Sequence, residues 1–318
     1  VTGTIRVAVV GGSGYTGGEL RALLARHPRV KVEGIHARTF RVEDLGARRP
    51  DCVFLATPNE VSASLAPAIL EGGAAVIDLS GAFRLRRSED YPAWYGFAHP
   101  RPALLREAAY GLTEWSAGSL AGQRLVANPG CYATAALLAL KPILPVLDPA
   151  QPIVCDGKSG VSGAGRKSDA AYSFAELSGN TWAYGASGHR HEPEIRQQGP
   201  IPEGIPLVFV PHVLPIVRGL MTTLYVAFDR VMDARGIGAL YETAYAGAPL
   251  VGVLPAGTFP DIRSVAGTPR AAIGFALRPD GRRAVLVSVI DNLLKGAASQ
   301  AVQNFNRVFD LDAMAGIA

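Results

Sequence analysis

Residues 5–17 read IRVAVVGGSGYTG, and this stretch decides the fold. Apart from Arg6, residues 5–10 are apolar and mostly β-branched, the pattern of a short buried strand. Gly12-Ser13-Gly14-Tyr15-Thr16-Gly17 then matches G-x-G-x-x-G, and Gly11, Gly14 and Gly17 also stand three apart. Glycines so spaced allow a tight turn and close approach of a dinucleotide pyrophosphate to backbone N–H groups at a helix N-terminus. A helix read over residues 18–26 supplies the strand–loop–helix context that gives the motif its weight. Gly11, Ser13, Gly14, Tyr15, Thr16 and Gly17 are therefore the expected cofactor contacts.

Working outward, residues 30–35, 52–56 and 75–79 read as further strands, with a helix near 61–70. Alternation of strand and helix predicts a doubly wound parallel sheet, an α/β Rossmann domain. NAD enzymes usually place an acid after the second strand, for the ribose 2′-hydroxyl. This chain has Ala37-Arg38 there, so Arg38, with Arg41 nearby, is expected to pair with a 2′-phosphate, and NADP(H) is the expected cofactor. Residues 91–102, dense in Pro and aromatics, read as a loop.

The second informative stretch is Asn128-Pro129-Gly130-Cys131-Tyr132-Ala133-Thr134. Pro129 and Gly130 make a turn, so Cys131 falls at the start of the following helix, where unpaired N–H groups and the macrodipole favour a thiolate. Cys52 and Cys155 sit in apolar strands and read as core. The domain boundary is placed at this turn: residues 1–130 bind the dinucleotide, and residues 131–291 form a catalytic domain. Strands read at 152–155, 207–210, 220–228, 271–277 and 284–290, with one helix at 233–245, predict a mixed or antiparallel sheet of α+β type. A last helix, within 292–318, is expected to pack back on the first domain.

A nucleophile needs a proton-transfer partner. Gly188-His189-Arg190-His191-Glu192-Pro193-Glu194 gathers two imidazoles and a guanidinium: His191 reads as the base, and His189 or Arg190 as an anion binder. His27 reads as structural. Residues 158–167, KSGVSGAGRK, form a second glycine-rich segment read as a loop after a strand, with Lys158 and Ser159 available to a phosphate; it lacks the Walker A order. No compact His/Cys/Asp/Glu cluster suggests a metal.

The chain has 318 residues, 48% apolar and 18% charged, with a net charge of +4, enough for two domains with real cores. Its basic residues are scattered, which does not suggest nucleic acid, and no apolar run approaches a membrane span. Three widely spaced cysteines imply no disulfide framework, no leader is read at the start, and a cytoplasmic setting is expected.

Taken together, these segments resemble the N-acetyl-γ-glutamyl-phosphate reductases of arginine biosynthesis. The resemblance runs nearly the whole length: GGSGYTGGEL (11–20), Asp78-Leu79-Ser80 with Phe83-Arg84-Leu85, Tyr95-Gly96 with His99-Pro100, Tyr110-Gly111-Leu112, NPGCYAT, KSGVSGAGR, GHRHEPEI, Pro211-His212 with Val217-Arg218-Gly219, and 291–297, DNLLKGA. It implies the architecture of glyceraldehyde-phosphate and aspartate-semialdehyde dehydrogenases, with Cys131 as nucleophile and His191 as acid/base. It also implies His189, Arg190 and Ser159 near the substrate and Asn292 near the nicotinamide; Asn128 is a further expected substrate contact, and Ser162 and Gly163 are further expected cofactor contacts. The implied activity is NADPH-dependent reduction of the acyl phosphate to the semialdehyde through a thioacyl intermediate, in a homo-oligomer, dimer or tetramer. The alternatives are a sibling acting on carrier-protein-linked aminoadipyl or glutamyl phosphate in lysine biosynthesis, and an NADPH-binding sensor without turnover. The NPGCY and KSGVSGAGR segments favour the N-acetylated substrate. The chain departs from the family pattern at Ala133, Ala37, Pro269 and a short segment 39–50.

Overall fold

The computed structural model describes residues 3–36, 41–45, 49–166 and 169–317. The chain divides into two units, Val1–Gly130 with Ala297–Ala318, and Cys131–Gly296.

The first unit carries a six-stranded sheet: β1 Ile5–Val10, β2 Val30–His36, β3 Cys52–Leu55, β4 Ala75–Asp78, β5 Ala109–Tyr110 and β6 Leu125–Ala127. Every pairing is parallel, in the order β2-β1-β3-β4-β6-β5. A parallel sheet is covered on both faces, so its central strands read as unbroken apolar runs. The side chains of β3 are accordingly all buried, as are those of β4. The chain leaves β1 to one side for β2 and returns to the other for β3. That reversal opens the crevice in which such sheets bind ligands.

The helix read from residue 18 starts earlier, at Tyr15, and runs to Arg26. Residues 91–102 are more ordered than their composition suggested. Asp90–Tyr95 is a helix closed by Gly96 in the left-handed region (φ +77°). Tyr91 is fully buried there and stacks on Tyr95 with centroids 5.3 Å apart, so the aromatics join the core formed with Val10, Val53 and Val76. The last helix, Ser299–Val308, lies in this unit, where Phe305 packs on Phe54 and on His27. His27 is buried and bonded to Asn306 Oδ1 at 2.9 Å, as a structural histidine should be.

The second unit is built on a seven-stranded mixed sheet: β7 Ile153–Gly160, β8 Trp182–Ala183, β9 Leu207–Leu214, β10 Leu220–Ala227, β11 Val251–Val253, β12 Ala271–Leu277 and β13 Arg283–Ile290. The order is β11-β12-β13-β10-β7-β9-β8, with β7/β9 and β11/β12 parallel and the rest antiparallel. The helix Cys131–Leu140 lies on this sheet with every residue after Cys131 buried, and each enclosed leucine contributes about 2 kcal/mol. A charged residue at Leu138 would break that packing. The segment 158–167 is not wholly a loop: Lys158, Ser159 and Gly160 finish β7, pairing with β9 and β10, and the turn begins at Val161. Strands of two or three residues, β5, β6, β8 and β11, were not legible, being too short for an alternating pattern.

Candidate active site

In the first unit, the turn after β1 depends on missing side chains. Gly11 sits at φ +84°, and a Cβ there would strike the Ala56 carbonyl oxygen. A Cβ on Gly17 would lie 2.6 Å from Gly11 O and 2.7 Å from Gly12 Cα. Gly14, by contrast, would meet nothing closer than 3.9 Å, so the outer side of the loop is open. Ser13 and Tyr15 are exposed, Thr16 is half-buried, and the first turn of the Tyr15–Arg26 helix carries no acid. The loop thus presents backbone N–H groups and the positive end of a three-turn helix to open space, a cradle that fits a pyrophosphate. Arg38 lies outside the described residues. Arg41 is described, with its N–H held by Asp44 at 2.7 Å.

The segment leading to Cys131 is fixed by a buried polar chain in the same unit. Gln300 Nε2 donates to Gly111 O (3.0 Å) and to Thr113 Oγ1 (2.6 Å), and Thr113 Oγ1 donates to Asn304 Oδ1 (2.7 Å). Asn304 Nδ2 donates to Asn128 Oδ1 (2.9 Å), and Asn128 Nδ2 donates to Ala297 O (3.2 Å). Arg84, itself buried, donates from Nε to the Asn128 carbonyl at 2.9 Å and from Nη2 to Leu79 O at 2.9 Å. Asn128 was expected to touch substrate. Its side chain is fully buried and engaged at both ends of the amide.

In the second unit, Cys131 opens its helix and is half-buried, whereas Cys52 and Cys155 are fully buried, with thiols pushed up by desolvation. A helix N-terminus favours negative charge at the first of these positions. Tyr132 packs edge-on against His191, centroids 5.6 Å apart, and against His189 at 6.3 Å. Its hydroxyl donates to His212 O at 3.1 Å. His191 begins the helix His191–Gln198 and is buried; its Nε2 lies 3.9 Å from Oε2 of the fully buried Glu194. Sequence reading passed over Glu194, although positions three apart share a helix face, and that spacing was the available signal.

His189 lies beside His191, ring centroids 4.9 Å apart, and its Nδ1 accepts the His191 N–H at 3.3 Å. Burial, then the charge of Arg190, lowers its pKa to about 4. A neutral imidazole is not a cationic anion binder, so of the pair only the exposed Arg190 brings charge.

Ser159, Ser162, Gly163 and Asn292 come together. Asn292 Nδ2 donates to Ser162 Oγ (2.9 Å), and its Oδ1 accepts the Gly219 N–H (2.7 Å). A Cβ on Gly163 would lie 3.0 Å from Ser159 Oγ. Lys158 does not join them. Strand alternation turns it to the opposite face from Ser159, where it pairs with Asp156 at 2.9 Å beside His212. Among the described residues no group of three His, Cys, Asp or Glu side chains is placed to hold a metal ion, and no helix is long and apolar enough to cross a membrane.

A dinucleotide cradle in one unit, and in the other a helix-start cysteine with a buried His–Glu pair, define a semialdehyde-dehydrogenase type of protein. Residues 37–123 match the family described as semialdehyde dehydrogenase, NAD binding domain, and residues 131–292 match semialdehyde dehydrogenase, dimerisation domain. Aspartate semialdehyde dehydrogenase II from Vibrio cholerae has the same fold, with a TM-score of 0.74 at 19% identity, covering 96% of this chain and 98% of that one. The N-acetyl-gamma-glutamyl-phosphate reductase of Halorhodospira halophila is 48% identical over 98% of both chains, and that of Laribacter hongkongensis is 44% identical over the same shares. The chain belongs to the N-acetyl-gamma-glutamyl-phosphate reductase family.

Proposed function

We propose that this protein reduces N-acetyl-γ-glutamyl phosphate to N-acetylglutamate 5-semialdehyde and phosphate with NADPH, a step of arginine biosynthesis. The observation that carries the reading is Cys131, half-exposed at a helix start in the unit that also holds the buried His191–Glu194 pair. Relatives named for this reaction, at 41–48% identity, support the substrate. Nothing favours the carrier-linked sibling or a sensor.

His191, oriented by Glu194, takes the Cys131 proton. The thiolate attacks the acyl carbonyl, the carbon–oxygen bond to phosphate breaks, and a thioacyl-enzyme forms. N–H groups at the Cys131 helix start stabilise the oxyanion. Residues 11–17, with Arg38 at the 2′-phosphate, would hold NADPH, which when bound would supply the hydride that reduces the thioester. Collapse of the thiohemiacetal oxyanion breaks its carbon–sulfur bond and frees the aldehyde, and the Cys131 sulfur takes back the proton held by His191; the proton that the overall reaction consumes goes to the departed phosphate. Arg190 and Ser159 hold the substrate's anionic groups, and Ser162, Gly163 and Asn292 form the nicotinamide side of the site.

The protein is proposed to work in the cytoplasm as a homo-oligomer. The dimerisation-domain match to residues 131–292 and the outward-facing Val208 and Tyr225, 45% and 46% exposed on the second sheet, support self-association. The deciding experiment follows NADPH absorbance in the reverse direction, with N-acetylglutamate semialdehyde, phosphate and NADP, against NAD and aspartate semialdehyde controls. Growth that needs phosphate, the N-acetylated substrate and Cys131 is expected, with Cys131→Ser reducing it at least ~1000-fold. A wild-type protein that binds NADPH but shows no such growth would sink the proposal.

A further inference from the structure

Cys131 is backed by an unusual turn. Leu294–Ala298 is a π-helical turn, a form that inserts one residue into a helix and is otherwise rare. The Gly296 N–H donates to the Asp291 carbonyl, five residues back, at 2.9 Å. The fully buried Asp291 carboxylate pins the entry, accepting the N–H groups of Leu293 (2.9 Å), Leu294 (3.1 Å) and Gly267 (2.7 Å). So held, Gly296 meets the nucleophile's own backbone. A Cβ at Gly296 would lie 2.7 Å from Cys131 Cβ, 3.2 Å from Cys131 Cα and 3.2 Å from Ile290 Cδ1.

We propose that Gly296 is a positioning residue: the π-turn places a residue without a side chain against the Cα–Cβ bond of Cys131 and thereby fixes where the thiol points. Gly296 is not among the residues with positive φ, so its backbone would accept alanine, and the demand for glycine comes from space alone. Ile290 can turn its terminal methyl away, but Cys131 Cα and Cβ cannot rotate out of reach. Ordinary contact begins at 3.4 Å, so an added methyl must drive the two apart by about 0.7 Å. A displacement approaching 1 Å at a reacting group costs about 100-fold in rate. The inference rests on the reading of Cys131 as nucleophile.

The test compares Gly296→Ala with Gly238→Ala, a helix position where a Cβ meets nothing within 4 Å. Two readouts are taken: kcat and KM, and the rate of Cys131 alkylation by iodoacetamide across about pH 5 to 9, by peptide mass. Cys52 and Cys155, fully buried, label only if the chain unfolds. For Gly296→Ala we expect kcat about 100-fold lower, KM within ~3-fold, and a displaced alkylation profile with both buried thiols unlabelled, while Gly238→Ala stays as wild type. A wild-type alkylation profile in folded Gly296→Ala overturns the proposal. If Gly296→Ala labels its buried thiols, thermal unfolding is compared in a Cys131→Gly background. Relief of the Tm loss there supports the contact, and an undiminished loss overturns it. Should the wild type prove inactive on the N-acetylglutamyl substrate, the alkylation comparison still decides, so the two readings fail separately.

Discussion

His189 and His191 stand two positions apart, and burial removes the first of them from proton transfer near neutrality. Burial and Arg190 bring His189 to about 4, against an ordinary histidine value of 6.5. At pH 6 a group titrating near 4 is about 1% protonated, whereas one near 6.5 is roughly three-quarters protonated. His189 therefore stays neutral through the working range, and no limb of the pH–rate profile above pH 5 belongs to it. The native state takes up this proton only near 4, while the unfolded chain takes it up near 6.5. Stability is then complete above 6.5 and is lost as pH falls toward 4. The gap corresponds to about 3 kcal/mol, and nearer 2 kcal/mol once solvent reaching a half-buried ring is allowed for. His27 and His99 are lowered by burial too and add acid sensitivity of the same sign, so the difference between wild type and His189→Asn isolates the His189 share. Urea denaturation at pH 7.5 and pH 4.5 should show His189→Asn losing about 2 kcal/mol less than wild type on acidification. In steady-state assays His189→Asn should lower kcat/KM without moving the acid limb, and His191→Asn should abolish turnover. An acid limb near 6.5 that disappears in His189→Asn would refute the assignment.

Three further outcomes follow from the same geometry. Asn304→Ala strands the Thr113 hydroxyl and Asn128 Oδ1 in a dry interior, and should cost about 2–5 kcal/mol in urea denaturation; a loss under ~0.5 kcal/mol would show the chain of bonds to be dispensable. Gly17→Ala sets a methyl 2.6 Å from the Gly11 carbonyl oxygen, so overpacking of about 1–3 kcal/mol and at least ~10-fold weaker NADPH binding by fluorescence titration are expected. Arg38→Ala should raise KM for NADPH by ~10- to 100-fold, the value of a charge-assisted bond, and leave the NADH value unchanged; equal effects on both cofactors would remove Arg38 from the 2′-phosphate.

The parts of the fold that could be read in advance share one property: their sequence period equals their burial period. β1, β3 and β4 are enclosed on both faces and so appear as apolar runs, broken only by Arg6 and ended by Asp78. β10 alternates buried residues with half-buried or exposed ones along its length, as a sheet with one open face requires. Cys131 was legible because Pro129-Gly130 marks a turn and a helix pattern follows it. Its support was not. Gly296 comes 165 positions after Cys131 in the sequence, and no local pattern announces that a π-turn will set the two side by side.

The helix Ser299–Val308 marks where pattern reading must fail. Its SQAVQNFNRV sequence shows an apolar stripe and polar remainder, which binary patterning assigns to core and solvent. Yet Ser299, Gln300, Asn304 and Asn306 are as fully enclosed as Val302 and Phe305. Burying such amides is unfavourable unless each finds partners. Three do: Gln300 with Gly111 and Thr113, Asn304 with Thr113 and Asn128, and Asn306 with His27. Each is therefore tied to a group at least 176 residues away in the chain, and Asn306 also donates to the carbonyls of Ala313 and Ala315. An apolar helix of equal volume would pack as tightly, but it would tolerate rotation and sliding, because dispersion contacts have no direction. Directional bonds from Asn304 to Asn128 leave the residue three before Cys131 a single orientation. The polar burial that hides this helix from sequence reading is what sets the segment entering the catalytic turn, so its amides should tolerate substitution less well than its valine.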